Sequence, residues 1–253
     1  MHSIVSTVQP QESVKDTALA LADAALVGAR GNSGIIFAQF LYGFSKDIRD
    51  QQTMNIKEFA EYMSIASECA YYALAKPKEG TIITVIKDWS NFLSEECDKS
   101  DDLTTLLLNA LTVAMESLKG TGKFIAAKAK TIVDAGAKGF VVFLEGMCEY
   151  FHNGEQSVNV ANAEVIDSEW MGEDNHEEIT FRYCTEALLI GEDLQKDKLS
   201  SLIETMGDCL VIAGSNKKMR LHIHTDEPWV VLEKVQTVGS VVYQKVEDMV
   251  MQN

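Results

Sequence analysis

The chain has 253 residues, 38 Asp+Glu against 22 Lys+Arg, a formal charge of −16 and an apolar fraction of 46%. It can bury a sizeable core, in one large domain or two small ones, which excludes a disordered polymer. Its charge repels DNA, RNA and anionic membranes, which excludes non-specific nucleic-acid binding but not a bound nucleotide, since local N–H groups and metal ions can hold phosphates.

The five cysteines (Cys69, Cys97, Cys148, Cys184, Cys209) are odd in number and widely spaced, with no C-x-x-C pair. They read as reduced thiols of a cytoplasmic protein. Met1 to Val5 has no basic run leading into an apolar stretch, so no signal peptide is expected. No run approaches the length of a membrane span.

Residues 1–154 read as helix after helix, followed by a polar linker over 155–177 and an α+β domain over 178–253. The first predicted helix covers 13–28, with Val14, Ala18, Leu21 and Ala25 at helical spacing. Others are predicted from near Asn32 to Arg49, from Ile56 to Ala75, and from Gly80-Thr81 to Cys97. A fifth begins at an Asp101 or Asp102 cap and ends at Gly120-Thr121-Gly122. A short sixth is predicted over Lys123–Lys130 and a seventh from Ala137 to Phe151. The short links favour antiparallel neighbours, hence an all-helical bundle or barrel. Beyond the linker, in which one short strand has room, the predicted order is strand (Ile179–Ile190), helix (Asp197–Met206), strand (Cys209–Ala213), strand (Arg220–His224), helix (Trp229–Val238) and strand (Val241–Val246). The turn of the hairpin is Ser215-Asn216-Lys217-Lys218. This is a βαββαβ two-layer, split βαβ arrangement.

Two stretches carry chemistry. In Gly28-Ala29-Arg30-Gly31-Asn32-Ser33-Gly34, three glycines and a serine lie where one helix ends and the next begins. Unpaired N–H groups and the helix dipole favour an anion there, Gly31 and Gly34 allow close approach, and Ser33 adds a hydroxyl. The plainer reading is a helix–turn–helix link with Asn32 or Ser33 as the cap; the lysine of a Walker A loop is absent. In the second stretch, His222 and His224 are two apart on a predicted strand and share a face. Cys184 lies on the first strand of the domain, expected beside the third and parallel to it. One thiol and two imidazoles then converge, a set suited to zinc with an open fourth position. The plainer reading is a hydrogen-bonded histidine pair beside a small core cysteine. Asp226 is either a further ligand or partner, or the cap of the helix that Pro228 opens.

The Gly28–Gly34 stretch resembles the signature of the nucleotide-binding domain shared by the L-type chains of dihydroxyacetone kinase and by bacterial fatty acid kinase. Lys76-Pro77-Lys78-Glu79-Gly80-Thr81 and Val133-Asp134-Ala135-Gly136-Ala137-Lys138-Gly139 follow in the family's order, with Ala137 where glycine is usual. Tyr183-Cys184-Thr185-Glu186 and His222-Ile223-His224-Thr225-Asp226-Glu227-Pro228 resemble the middle domain of fatty acid kinase, which dihydroxyacetone kinases lack. The resemblance implies an eight-helix barrel that binds ATP or ADP through Gly31, Asn32, Ser33, Gly34, Gly80, Thr81, Asp134 and Gly136. It favours the zinc reading of Cys184, His222 and His224, and it names no catalytic residue in this chain. The family's magnesium ions sit on an Asp-Gly-Asp-x-Gly loop, a run that does not occur in this sequence. The first barrel helix and the magnesium ligands are therefore expected upstream of Met1, and the chain alone is expected to be a weak or inactive kinase. The implied reaction is phosphorylation of a fatty acid carboxylate presented by a DegV-like lipid-binding protein or fused domain, and the family makes a homodimer plausible. The alternatives are a non-catalytic regulatory or scaffold protein on the same fold, and a component of a triose kinase, against which the middle domain argues.

Overall fold

The computed structural model describes residues 1–125, 133–154 and 179–251. Seven helices precede the sheet among these residues: α1 His2–Thr7, α2 Val14–Gly28, α3 Gly31–Lys46, α4 Ile56–Tyr71, α5 Ile82–Glu96, α6 Leu103–Ile125 and α7 Ala135–Asn153. Then come β1 Tyr183–Ile190, α8 Lys196–Ile203, β2 Asp208–Gly214, β3 Lys218–Thr225, α9 Pro228–Gln236 and β4 Ser240–Asp248. The helical region followed by βαββαβ is as expected. The expected linker strand and residues 126–130 of the short sixth helix lie outside the described residues.

The chain divides into two compact units, and the division does not follow the sequence order. One unit joins residues 1–53 and 68–77 to 176–253; the other holds 54–67 and 78–175. Helix α4 runs through the boundary.

In the first unit, the sheet has strand order β2-β3-β1-β4 and every neighbouring pair is antiparallel. The expected adjacency of β1 and β3 is found, but the expected parallel direction is not. The reason is connectivity. The crossover through α8 makes β1 and β2 run the same way, one position apart, and β3 returns from β2 by a hairpin into the gap between them. It must then oppose both. Gly214 closes that hairpin at φ +118°, a conformation open to glycine, and an added Cβ would lie 2.2 Å from the Lys218 carbonyl oxygen.

One face of the sheet is apolar. Ala187, Leu189, Leu221 and Ile223 pack against Leu199 and Ile203 of α8 and Val231, Leu232 and Val235 of α9. The alternate positions of β1 and β3 include Cys184, Glu186, Arg220, His222 and His224, set opposite to Ile223 by the two-residue period of a strand. Helices α2 and α3 contact β2 and β3. Buried Ala18, Ala22 and Ala25 let α2 approach its neighbours closely. Ser3 of α1 occupies the space a side chain at Gly28 would need, and its hydroxyl donates to the Ala24 carbonyl. Ile35 and Phe40 of α3 are almost fully buried, a burial that contributes about 1.5–3 kcal/mol for each side chain. Helix α4 stops at Tyr71 rather than Ala75, because residues 73–75 pair with the outer edge of β2: Ala75 N–H donates to Leu210 O and Ile212 N–H to Ala73 O. That pairing covers an otherwise open strand edge.

In the second unit, α5, α6 and α7 pack on one another around Trp89 and Phe140, whose rings meet edge to face at 5.9 Å. Asp102 caps α6 by accepting from Thr104 and Thr105 N–H. Gly120-Thr121-Gly122 does not end that helix, which runs on to Ile125 and takes in Lys123 of the expected sixth helix. Two glycines cost a helix about 1 kcal/mol each. Thr121, buried, offsets part of this: its hydroxyl donates to Leu118 O and accepts from Asp134 N–H.

Candidate functional site

The glycine-rich stretch forms the junction of α2 and α3. Gly31 takes φ +57° and opens α3, with no side chain capping the helix at Arg30. The free end is met from the sheet. Glu186 of β1 accepts from Gly31 N–H at 2.8 Å through Oε1, and from Arg220 Nη2 at 2.7 Å through Oε2. Arg220 Nη1 donates to the Val27 carbonyl at 3.0 Å, at the C-terminal turn of α2. A carboxylate therefore faces the positive end of α3 and a guanidinium the negative end of α2, as the two helix dipoles favour. Both charges are buried, at 4% and 1% side-chain exposure. Burial by itself would raise the Glu186 pKa; hydrogen bonds from His222, Arg220 and Gly31 outweigh it and bring the group down to about 2. Tyr243 of β4 stacks beneath Arg220 and Arg30, with ring-centroid distances of 5.0 and 5.4 Å, and its hydroxyl accepts from Arg30.

Asn32, Ser33 and Gly34 follow on the first turn of α3, all part-exposed. Asn32 Oδ1 has no hydrogen-bond partner. The loop is thus clamped from behind through Gly31 while its next N–H groups stay at the end of the helix.

The other expected nucleotide residues lie in the second unit, and there they meet. Asp134 caps α7, accepting from Ala137 N–H at 2.7 Å, and it also accepts from Ile82 N–H at the start of α5. One carboxylate thereby ties the Gly80-Thr81 turn to the Asp134–Gly136 turn. Burial raises its pKa, against those two N–H bonds and the charge of Lys78. Gly80 takes φ +80°, and its N–H donates to the Thr84 hydroxyl. Thr81 donates to Lys78 O.

Cys184, His222 and His224 come together on the polar face of the sheet. Cys184 is directly opposite His224 in the β1–β3 register, and one ligand atom from each of the three residues lies within 4.8 Å of the others. Cys184 Sγ is 3.7 Å from His222 Nδ1, and Glu186 Oε1 is 3.6 Å from the same nitrogen. His222 is 3% exposed, yet its Nε2 has no partner. A buried imidazole nitrogen left unpaired, with a carboxylate facing the other nitrogen and a thiol beside it, fits a soft divalent cation such as zinc. Burial first, then the Glu186 and Glu247 charges, push the Cys184 thiol up to about 11, so without a cation it stays protonated. Asp226 belongs to neither of the ligand clusters among the described residues and accepts from Arg182 N–H just before β1, and the N-cap position of α9 is Glu227 rather than Asp226.

Glu186 and Arg220 escaped the sequence reading. The signal was present, since both are charged residues at interior strand positions with the parity of Cys184 and His222. Asp208 and Cys209 were missed for a different reason. Asp208, Cys209 and His224 form a second cluster within 4.8 Å, but a bulge between Asp208 and Val211 creates it, and strand parity cannot foresee a bulge.

The DAK2 domain family model matches residues 1–149, and the model of the FakA-like middle domain of fatty acid kinase matches 180–253. The chain is 33% identical over 238 residues to an uncharacterized protein of Staphylococcus epidermidis, covering 88% of this chain and 42% of that one. It is 33% identical over 235 residues to one of Staphylococcus saprophyticus, covering 88% and 42%. It is 32% identical over 237 residues to one of Staphylococcus aureus, covering 88% and 43%. The chain thus spans about two-fifths of the length of these relatives.

Proposed function

The chain belongs to the DAK2 domain family, with a FakA-like fatty acid kinase middle domain after it, and from this kinase-related membership we propose that it is the nucleotide-binding part of an ATP-dependent fatty acid kinase. The carboxylate oxygen of the fatty acid attacks the γ-phosphorus of ATP, the bond to the bridging oxygen breaks, and an acyl phosphate and ADP result. A DegV-like lipid-binding protein or fused domain presents the acid. One observation carries the reading: the middle-domain sheet holds the glycine-rich loop through Glu186 and Arg220, so the matched domains meet at the loop a phosphate would use.

Within that reading, N–H groups of Asn32, Ser33 and Gly34 and the Ser33 hydroxyl take phosphate oxygens. Gly80, Thr81, Asp134 and Gly136, which meet within the second unit, are further nucleotide contacts on the family resemblance alone. Phosphoryl transfer depends chiefly on positioning and charge stabilisation, and a rigid loop serves both. Magnesium, when bound, neutralises charge between the β and γ phosphates. The ligand clusters among the described residues contain thiol or imidazole and do not suit so hard a cation, so no magnesium ligand is assigned in this chain. Cys184, His222 and His224 would hold zinc, whose role there is to fix the sheet beside the loop.

The test is acyl-phosphate formation. The protein is mixed with MgATP and a fatty-acid-loaded lipid-binding partner, and hydroxylamine traps the product as a hydroxamate. Hydroxamate that requires both ATP and the partner supports the reading. Transfer to dihydroxyacetone instead would make it a triose kinase. Nucleotide binding without transfer by the full gene product would make it a non-catalytic protein on the same fold.

A further inference from the structure

We propose that Cys209 is the fourth ligand of the Cys184–His222–His224 site, which it closes as a structural Cys2His2 zinc centre with no open position for water. The inference rests on the zinc reading above and adds a ligand that strand periodicity would turn away from the site. Cys209 follows Asp208, which is paired with His224, so regular alternation would send Cys209 to the opposite face. The bulge between Asp208 and Val211 prevents that. Cys209 takes φ +53°, the left-handed conformation that favours glycine, and no other non-glycine residue among those described has a positive φ. Strain of this kind persists where the surrounding structure enforces it, and bulges re-aim side chains beside sites. Gly207 presses the same turn against β3, since a Cβ there would fall 1.8 Å from the His224 carbonyl oxygen.

The result is that two donor clusters share His224. His224 belongs to both clusters: a ligand atom of it lies within 4.8 Å of those of Cys184 and His222, and one lies within 4.8 Å of those of Asp208 and Cys209, while Cys209 itself joins the first set only on turning toward it. Two donors compete for the fourth position. Asp208 Oδ1 already faces His224 Nδ1 at 3.4 Å, the arrangement by which a carboxylate orients a metal-bound imidazole. Cys209 supplies the thiolate, the donor that structural zinc sites prefer. It is exposed, so its side chain can rotate inward without repacking the core.

Cobalt(II) replacement tests this on the full chain, because thiolate-to-cobalt charge transfer in the near ultraviolet scales with the number of bound thiolates. The wild type should take up one equivalent of Co2+ with tetrahedral ligand-field bands and two-thiolate intensity. Cys209→Ser should keep the fold by circular dichroism, lose about half of that intensity, and bind at least about tenfold more weakly. Asp208→Asn should keep the two-thiolate intensity. X-ray absorption on the wild-type zinc protein, which needs no variant, should give two sulfur and two nitrogen neighbours. One equivalent of Co2+ with a Cys209→Ser spectrum and affinity equal to wild type would overturn the fourth ligand and leave the three-residue site standing. No uptake of Co2+ or Zn2+ by the wild type would overturn the zinc reading itself.

Discussion

Replacing Glu186 with alanine leaves a guanidinium with 1% side-chain exposure facing no carboxylate, and takes the acceptor from Gly31 N–H. Breaking a buried pair from one side costs about 3–5 kcal/mol, because the remaining charge stays desolvated. A lost acceptor at a partly buried N–H adds about 1 kcal/mol. Against a total stability of about 5–15 kcal/mol, Glu186→Ala should leave a marginal protein. The assay is urea unfolding followed by circular dichroism, with amide exchange at Gly31 as a local readout. Removing both charges, as Glu186→Ala with Arg220→Met, should recover part of the loss, since no ion then remains buried. The pH dependence has a definite sign. The carboxyl titrates near 2 in the folded protein against an ordinary 4.5. Its contribution, on the order of 3 kcal/mol, is complete above about pH 4.5 and disappears as the pH falls toward 2. Wild type should therefore lose stability across that window more steeply than Glu186→Gln. A Glu186→Ala cost below about 1 kcal/mol, with Gly31 exchange unchanged, would refute the clamp.

Two further outcomes follow from the same geometry. Gly207→Ala places a Cβ against the His224 carbonyl and should cost about 1–3 kcal/mol, read as a lowered melting temperature together with weaker zinc retention. Asp134→Ala removes the cap of α7 and the acceptor for Ile82 N–H; about 1–2 kcal/mol should be lost in thermal unfolding, and nucleotide affinity should fall with it.

The helices were legible wherever a cap and a 3.6-residue period agreed, as at Asp102 and over Val14–Gly28. Glycine punctuation overstates the breaks: Gly120 and Gly122 stay inside α6 because Thr121 binds the surrounding backbone. The split βαβ order was readable from alternation and turns. The antiparallel β1–β3 pair follows from connectivity rather than from residue type, so a pattern of apolar positions does not reveal it. The Cys184, His222 and His224 cluster was legible because a shared face depends on parity alone. Cys209 was not, because its direction is set by one dihedral angle. Helix α1 left no period to read over six residues. The union of residues 1–53 with the C-terminal sheet is long-range, carried by Glu186, Arg220, and Gln39 accepting from Gly214 N–H. No local window contains both ends of such a bond.

Calorimetric titration with MgATP tests most directly the proposal that the Gly31–Gly34 loop takes the phosphates of a nucleotide. Wild type should bind one equivalent, and Ser33→Asp, which sets a negative charge on the first turn of α3, should weaken binding at least about tenfold without lowering the unfolding midpoint. Absence of binding by the full gene product, or equal affinity of wild type and Ser33→Asp, would contradict the account.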